Sequence, residues 1–547
     1  MTVRFYNSLT HQPEDFAPQT PGPAAQAPLR GAQIRMYTCG PTVYDYAHIG
    51  NFRSFLFADV LRRHLEWHGA TVRQVMNMTD VGHMTEDQTA DGAGRDKLEL
   101  AVEKMKQSKK SGAALVENPN DPGQVADFFV RAFLEDARRL GLAVVADYDR
   151  AGGAAAQERI MPRPTRHIGQ FIELIQKLLV RGHAYIGSDG VVYYDVGGFA
   201  AYGRLSGNSV EQLSHGAGGR TNESAAKRHP ADFFLWKPDR HHLMRWPSPW
   251  GEGYPGWHVE CSSMAMEILG ESLDIHTGGE DNIFPHHECE IAQSEGATGR
   301  PFVRLWMHAR HLMVEGEKMS KSKGNFFTIR DLMEKGFDPL VIRLALIRTR
   351  YRETLNFTLQ SLHETAGAIG SLRDLVEKLG GAIGDPGGAG ETGPAGPEAG
   401  PSAACLEPAD ADMLAEFQNA LDDDLNTSAA LAALFTWAAP RFKRTKFTAG
   451  EARSSLAALR RVDHVLGVIF TPLRPLAQDT RVNVENLLRQ RDEARQRKDF
   501  ATADRLRANL TALGVEVKDT PSGSQWRRRL APERSTASGI AAEAARR

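Results

Sequence analysis

Between residues 33 and 83 two hydrophobic rhythms follow one another. Ile34–Thr38 (IRMYT) is a short apolar-rich run of strand length. Phe52, Phe55, Leu56, Val60 and Leu61 then recur three and four apart, which predicts a helix. ATVRQVMNMTDVG reads as a second strand and its loop. Strand, helix and strand in succession predict a βαβ unit that opens a parallel sheet. Ligands of such sheets gather at the C-terminal ends of the strands, and Cys39, His48 and Thr79 fall there.

From about Asp80 to Gly251 the pattern is less regular. IGQFIELIQKLLVRGHAYI predicts a helix and GSDGVVYYDV a hairpin, so residues 81–251 read as a connective insertion. GWHVECSSMAMEILGESLDIHTGGEDNIFPHHECEIAQS returns to helix, strand (LDIHTG) and helix. The first sheet therefore resumes, and its domain is split over 1–80 and 252–335. Residues 336–379 read as linking helices. The Gly/Pro/Ala-rich stretch 380–405 has no packable face and reads as a linker. A cut within it is expected to leave the preceding domains folded. Apolar periodicity then predicts a helical bundle over 406–475. Residues 480–530 read as two helices and a short strand pair, and 531–547 as a disordered tail. The fold class expected is α/β: a Rossmann-like parallel sheet with an insertion, then a helical bundle and a small α+β unit.

Composition changes this picture in one place. The chain has 547 residues, 41% hydrophobic and 24% charged, as is ordinary for a soluble globular protein. Its net charge of −2 by itself implies no polyanionic partner. However, Arg441–Arg547 holds 23 Lys+Arg against 12 Asp+Glu, a local surplus of +11, which points to nucleic acid in that region. Four cysteines make no disulfide framework. The N-terminus MTVRFYNSLTHQ lacks an apolar core of signal-peptide length, and no run of apolar residues is long enough to span a membrane. The expectation is a cytoplasmic protein with no membrane partner.

FPHHECE (Phe284–Glu290) concentrates metal-ligating chemistry. Pro285 suits the first position of a helix. Such a helix puts His286 and Glu290 four apart on one face, and His286 and Cys289 three apart. Imidazole and thiolate suit zinc, and carboxylate is acceptable, so both Cys289 and Glu290 qualify. One helix supplies two ligands, not four, so partners must come from elsewhere. HIGN (His48–Asn51) sits between the first strand and its helix. There Gly50 lets a base approach the backbone, and helix N–H groups with an imidazole can face phosphates. EKMSKSKGN (Glu317–Asn325) carries three lysines in a loop, flexible point charges for phosphate oxygens.

Paired in this order on this fold, HIGN and KMSKS (Lys318–Ser322) resemble the two signatures of the class I aminoacyl-tRNA synthetases. YTCGPTVYDYAHIGNFRSF, WPSPWGEGYPGWHVECSSMAME, FPHHECEIAQS, MSKSKGNFFTIRDL and DDDLNTSAAL are similar to the cysteinyl branch of that family. TDVGHMTEDQTADGAGRDK departs from the family's usual TDIDDK form. The resemblance implies a ligase that joins cysteine to tRNA(Cys) with ATP and Mg2+ as a monomer. It implies one zinc per chain, on Cys39, Cys261, His286 and Glu290, with Cys289 a bystander. It implies catalytic roles for His48, Asn51, Lys318 and Lys321. Gly50, Gly278, Gly279, Asp281 and Lys321 would meet ATP or the adenylate, and Thr79, Trp257 and His276 the amino acid. It makes 336–379 stem-contact helices and 480–530 the anticodon-binding unit, with Trp526, Arg527 and Arg528 toward tRNA.

Overall fold

In a computed structural model, which describes residues 2–23, 28–81, 84–86, 93–110, 115–209, 225–320, 323–384, 406–520 and 523–533, the strand Gln33–Thr38 lies inside a parallel sheet. The sheet order is Val303–Ala309, Leu273–Gly279, Gln33–Thr38, Thr71–Met76, and every neighbouring pair is parallel. The chain leaves Gln33–Thr38 for Thr71–Met76 on one side and returns much later to Leu273–Gly279 on the other. This reversal of strand order opens a crevice at the C-terminal ends of the two middle strands, where open α/β sheets bind their ligands. Side chains tie the strands at that end. Thr38 Oγ1 accepts from Gln74 Nε2 at 3.0 Å and from Thr277 Oγ1 at 2.9 Å. Ile34, Met36, Tyr37, Val75 and Ile275 are wholly buried, as a sheet covered on both faces requires.

The insertion, with the strand just after it, forms an antiparallel sheet of order Gly253–Pro255, Phe233–Pro238, Val192–Tyr194, Ala184–Ile186. The expected hairpin is its Ala184–Ile186/Val192–Tyr194 pair. Phe171, Leu174, Ile175 and Leu178 of the helix Ile168–Val180 pack against it with Tyr194, Phe233 and Trp236.

The chain forms two compact units. The first comprises Met1–Leu312, Thr349–Leu355 and Gln418–Ala430; the second comprises Met313–Arg348, Asn356–Phe417 and Leu431–Arg547. What draws the short segments into the first unit is Asp424, 2% exposed and held at φ 57°. Its carboxylate accepts from Tyr6 N at 2.8 Å and Tyr351 Oη at 2.6 Å, and pairs with Arg350 and Arg352 at 3.1 and 2.7 Å. The DDDLN stretch is therefore part of the first unit, although it follows the Gly/Pro-rich segment. A cut in 380–405, expected to spare the preceding domains, would remove Asp424 from the first unit.

In the second unit, buried Arg343 donates Nε to Leu466 O at 2.6 Å, closing the C-terminus of the helix Ala449–Leu466. The C-terminal residues form the helices Gln478–Gln496 and Phe500–Ala512 and an antiparallel pair, Val515–Thr520 with Gly523–Arg528. Val484, Leu510, Val515 and Val517 are their small core. Residues 531–533 continue the described chain, and Leu530 O accepts from Asp338 N at 2.9 Å. The rest of the expected tail and of the linker, 534–547 and 385–405, lies outside the described residues. Among the described residues no helix is long and apolar enough to cross a membrane.

Candidate metal centre and nucleotide site

Cys39 is the first residue past the strand Gln33–Thr38, and its N–H donates to Thr277 O of the neighbouring strand at 3.0 Å. Its side chain is thus fixed at the sheet's crevice. Cys261 comes from the helix Trp257–Leu269. His286 and Glu290 come from the segment after Leu273–Gly279. Phe284 is extended there (φ −136°, ψ 135°), and the chain coils from Pro285 into the helix Glu288–Thr298. The i, i+4 spacing brings His286 Nε2 to 3.1 Å from Glu290 Oε1. Cys39 Sγ lies 4.0 Å from Cys261 Sγ and 3.7 Å from Glu290 Oε1. Ligand atoms of these four buried residues all fall within 4.8 Å of one another.

A second set overlaps the first: Cys39, His276, His287 and Glu290, also within 4.8 Å. His276 Nε2 is 3.1 Å from Glu290 Oε2, and His287 Nε2 is 3.1 Å from Cys39 Sγ. The ring of His276 stacks on Trp306, with centroids 4.5 Å apart. Cys289 belongs to neither set; its Sγ lies 3.4 Å from Tyr202 Oη, within the apolar cluster under the insertion.

The electrostatics suit a cation. Burial by itself pushes a thiol up, but the Cys39 hydrogen bond and the charge of His286 bring Cys261 down to about 6. Burial opposes protonation of His286, yet Cys261 and Glu290 raise it to about 10. Glu290 is held down at about 2 against its burial by His276 and His286. Cys39 is pushed up, first by burial and then by its anionic neighbours. Two thiols, imidazole and carboxylate with charges this deeply buried fit a zinc ion, since buried charges need a partner or a metal.

Sequence reasoning missed the shell behind these ligands. His258 Nδ1 lies 2.9 Å from His286 Nδ1, and His287 Nδ1 lies 2.8 Å from His308 Nε2, whose Nδ1 meets Ser8 Oγ at 2.8 Å. Burial holds His287 far below its ordinary value and His308 down to about 3, so both are neutral. The signals were the histidines of WHVEC and LWMHAR and the second histidine of FPHHE. Each lacked a periodic or spacing cue that would separate it from core.

Thr79 is buried, with N donating to Pro41 O and Oγ1 accepting from Asn77 Nδ2, both at 2.9 Å. Trp257 is half-buried and stacks on His286, with centroids 4.2 Å apart. A Cβ on Gly278 would meet the His287 ring at 2.6 Å, so that glycine makes room for the imidazole. Gly279 is tight against Ser54 Oγ, and Asp281 is exposed.

HIGN opens the helix Ile49–Trp67 with a reciprocal cap: His48 Nδ1 accepts from Asn51 N at 3.2 Å, and Asn51 Oδ1 from His48 N at 3.1 Å. Because Nδ1 accepts, neutral His48 carries its proton on Nε2 and is a donor there. Gly50 lies in the helix's first turn. The helix is anchored by buried Arg53, which donates to Arg310 O at 2.9 Å and Glu353 O at 2.6 Å. Lys318, in the second unit, is exposed; Asn325 pins its loop, bonding Ser320 N at 2.8 Å and Lys318 O at 3.2 Å. Lys321 lies outside the described residues. In the C-terminal pair, Trp526 is half-buried against the small core. Arg527 pairs with Glu516 at 2.9 Å and with Asp374, and Arg528 donates to Arg474 O.

Residues 25–367 match the family model described as tRNA synthetases class I (C) catalytic domain. Residues 416–471 match a DALR domain, and 478–527 the cysteinyl-tRNA ligase anticodon binding domain. The chain is similar to the cysteine--tRNA ligase of Salinibacter ruber, at 40% identity over 96% of this chain and 98% of that protein. It is 39% identical to that of Symbiobacterium thermophilum, over 96% and 100%. Among solved structures it resembles Mycobacterium tuberculosis methionyl-tRNA synthetase bound by methionyl-adenylate, with a TM-score of 0.51 and 13% identity over 80% of this chain and 92% of that one. This last is a likeness of fold alone.

Proposed function

The chain belongs to the cysteine--tRNA ligases, enzymes with a class I aminoacyl-tRNA synthetase catalytic domain, and from that premise we propose how its residues carry the reaction. The cysteine carboxylate attacks the α-phosphorus of ATP, which is accompanied by Mg2+. A carboxylate–phosphorus bond forms, and the bond to pyrophosphate breaks. The 3′-terminal ribose hydroxyl of tRNA(Cys) then attacks the adenylate carbonyl, and AMP leaves. Catalysis is mostly positioning and charge stabilisation.

His48 donates Nε2–H toward the phosphates while Asn51 fixes the ring through the cap. The N-terminus of Ile49–Trp67 adds its N–H groups. Lys318 and Lys321 neutralise charge on the departing pyrophosphate. Gly50, Gly278, Gly279 and Asp281 line the adenosine site, and Thr79, Trp257 and His276 the amino acid. Cys39, Cys261, His286 and Glu290 would hold one zinc ion. Bound there, it would supply a borderline-soft Lewis acid that favours a thiolate over a hydroxyl, a separation that a hydrophobic pocket makes weakly. The 478–527 segment reads the anticodon, with Arg528 adding positive charge, Arg527 held by its acidic partners and Trp526 anchoring their strand. The enzyme works as a monomer in the cytoplasm.

The observation that carries this reading is the convergence of two thiols, an imidazole and a carboxylate at the crevice of the parallel sheet. ATP–pyrophosphate exchange with each amino acid in turn, followed by charging of tRNA, tests it. Exchange is expected with cysteine and not with serine. Equal exchange with both would overturn the selectivity argument.

A further inference from the structure

The helix that opens on HIGN closes on a second group of ligand atoms. His64 stands in its last turn and His68 at its C-terminal cap, four apart and so on one face. Facing them is Asp422, first of the three aspartates of DDDLN and, like both histidines, in the first unit. Asp422 Oδ1 is 2.9 Å from His64 Nε2 and 2.7 Å from His68 Nε2. The two rings stand at 87° with centroids 4.9 Å apart. The His64 side chain is fully buried, Asp422 is 6% exposed and His68 16%.

Ordinary hydrogen bonding accounts for only part of this. His68 aims at Oδ1 as a hydrogen-bonding partner. His64 Nε2 lies nearly as close to the same oxygen, at 2.9 Å. His64 Nδ1 and Asp422 Oδ2 are buried with no hydrogen-bond partner among the described residues. Buried polar atoms are nearly always satisfied, so two unsatisfied atoms on one cluster of ligand groups call for an occupant. Two imidazole nitrogens converge on one carboxylate oxygen, and one ligand atom from each residue lies within 4.8 Å of the others, as around an ion.

We propose that His64, His68 and Asp422 form a second divalent-metal site, separate from the thiolate centre. Two imidazoles and a carboxylate are the donor set of zinc and its borderline neighbours, and the partly exposed side of His68 leaves room for water to complete the shell. The site is pre-organised without the ion, because Trp67 Nε1 donates to Gln418 Oε1 at 3.0 Å beside it. Its role is structural: the ion fastens the end of the HIGN helix to the 418–430 segment.

The test is metal stoichiometry on the full chain, saturated with zinc and dialysed against metal-free buffer. Wild type should retain one more zinc per chain than His68→Asn or Asp422→Asn. With cobalt in place of zinc, sulfur-to-metal charge transfer reports the thiolate centre alone and should be equal in all three proteins. Added zinc should raise the thermal midpoint of wild type more than that of His68→Asn. Equal zinc in wild type and both variants would overturn the proposal. So would a loss of metal accompanied by loss of the thiolate–cobalt band. Should Asp422→Asn fail to fold, His68→Asn decides, because His68 sits at a helix end and is partly exposed.

Discussion

The thiolate centre and the C-terminal unit both attracted attention through polar residues, and they handle charge in opposite ways. At the centre the charges are few and wholly buried, and they converge: Glu290 and His286 act on Cys261, Cys261 and Glu290 on His286, and His276 and His286 on Glu290. In the C-terminal unit they are many and largely exposed, and they cancel. Arg491 pairs with Asp519 at 2.7 Å, Arg495 pairs with the same carboxylate, and Arg527 with Glu516 and Asp374. Of these acids all but Asp374 lie within Arg441–Arg547 and are already counted in its surplus of +11, so pairing decides where that surplus is presented rather than how large it is. Exposed Lys498 and Arg507 make no ion pair among the described residues, so they are better placed to meet phosphate than Arg527. Composition located the nucleic-acid region; pairing decides which of its cations act.

The largest separation between the two regions should come from removing one of them. A chain ending at Ala477 lacks the anticodon-binding match but keeps Asp422, Asp424 and the 418–430 segment. It should retain cysteine-dependent pyrophosphate exchange and lose nearly all tRNA charging. A chain cut within 385–405 should lose both, because the carboxylate that gathers Tyr6, Arg350, Tyr351 and Arg352 goes with it. Retained exchange in the shorter chain would show that Asp424 is dispensable to the first unit.

Next in size, Cys261→Ser should lose zinc and slow cysteine-dependent exchange by about 10²-fold or more, the scale of removing one electrostatic stabiliser. Cys289→Ser should do neither, since Cys289 faces Tyr202. The reverse outcome would move the ligand set by one helical position. If His287→Gln costs as much zinc as His286→Gln, the overlapping set with His276 and His287 is the one occupied.

How much of this was readable beforehand follows from the kind of signal each residue carries. Period and alternation revealed the strand Ile34–Thr38, the HIGN helix and the hairpin in the insertion, because one-sided burial writes itself into spacing. Cys39, Cys261, His286 and Glu290 came from ligand chemistry and from resemblance, since residues so distant in sequence share no local pattern. The return of 418–430 to the first unit was not legible. It depends on one aspartate at positive φ meeting four groups from distant segments, and a Gly/Pro-rich stretch before it suggested a boundary. The buried histidines 258, 287 and 308 were equally silent, because a single histidine in a core has no periodicity of its own.

A smaller effect should appear with pH in the metal-free protein. Cys261 is depressed from an ordinary 9.0 to about 6. A depressed acid stabilises the fold above its unfolded value, and that contribution is lost as pH falls through the folded one. Stability should therefore decline as pH falls from about 9 toward about 6, and thiolate absorbance disappear as pH falls through about 6. In Cys261→Ser this step should be missing. With zinc bound the step should move lower, because protons then compete with the metal for sulfur. A thiol titrating near its ordinary value would mean that the His286 and Cys39 contacts do not form without metal.

The smallest expected effect concerns which aromatic side chain of the C-terminal unit meets a base. Trp526 was the sequence's choice, for its place before three arginines. Its ring packs on Val484, Leu510, Val515 and Val517, so its truncation opens the small core. Trp526→Ala should lower the stability of the unit by about 3–5 kcal/mol, or less in proportion to its exposure, and make it sensitive to limited proteolysis. Phe500 has the opposite setting: it is 63% exposed at the start of its helix, next to exposed Arg497 and Lys498. An exposed ring beside cations is the arrangement single-stranded bases stack on. Phe500→Ala should weaken tRNA binding by about 1–3 kcal/mol and leave stability and pyrophosphate exchange unchanged. Arg507→Ala should lower the salt slope of tRNA binding by about one, whereas Arg527→Ala, already neutralised by Glu516 and Asp374, should lower it less. If Phe500→Ala binds tRNA normally while Trp526→Ala folds and binds weakly, the stacking role returns to Trp526, and the exposed ring is a bystander.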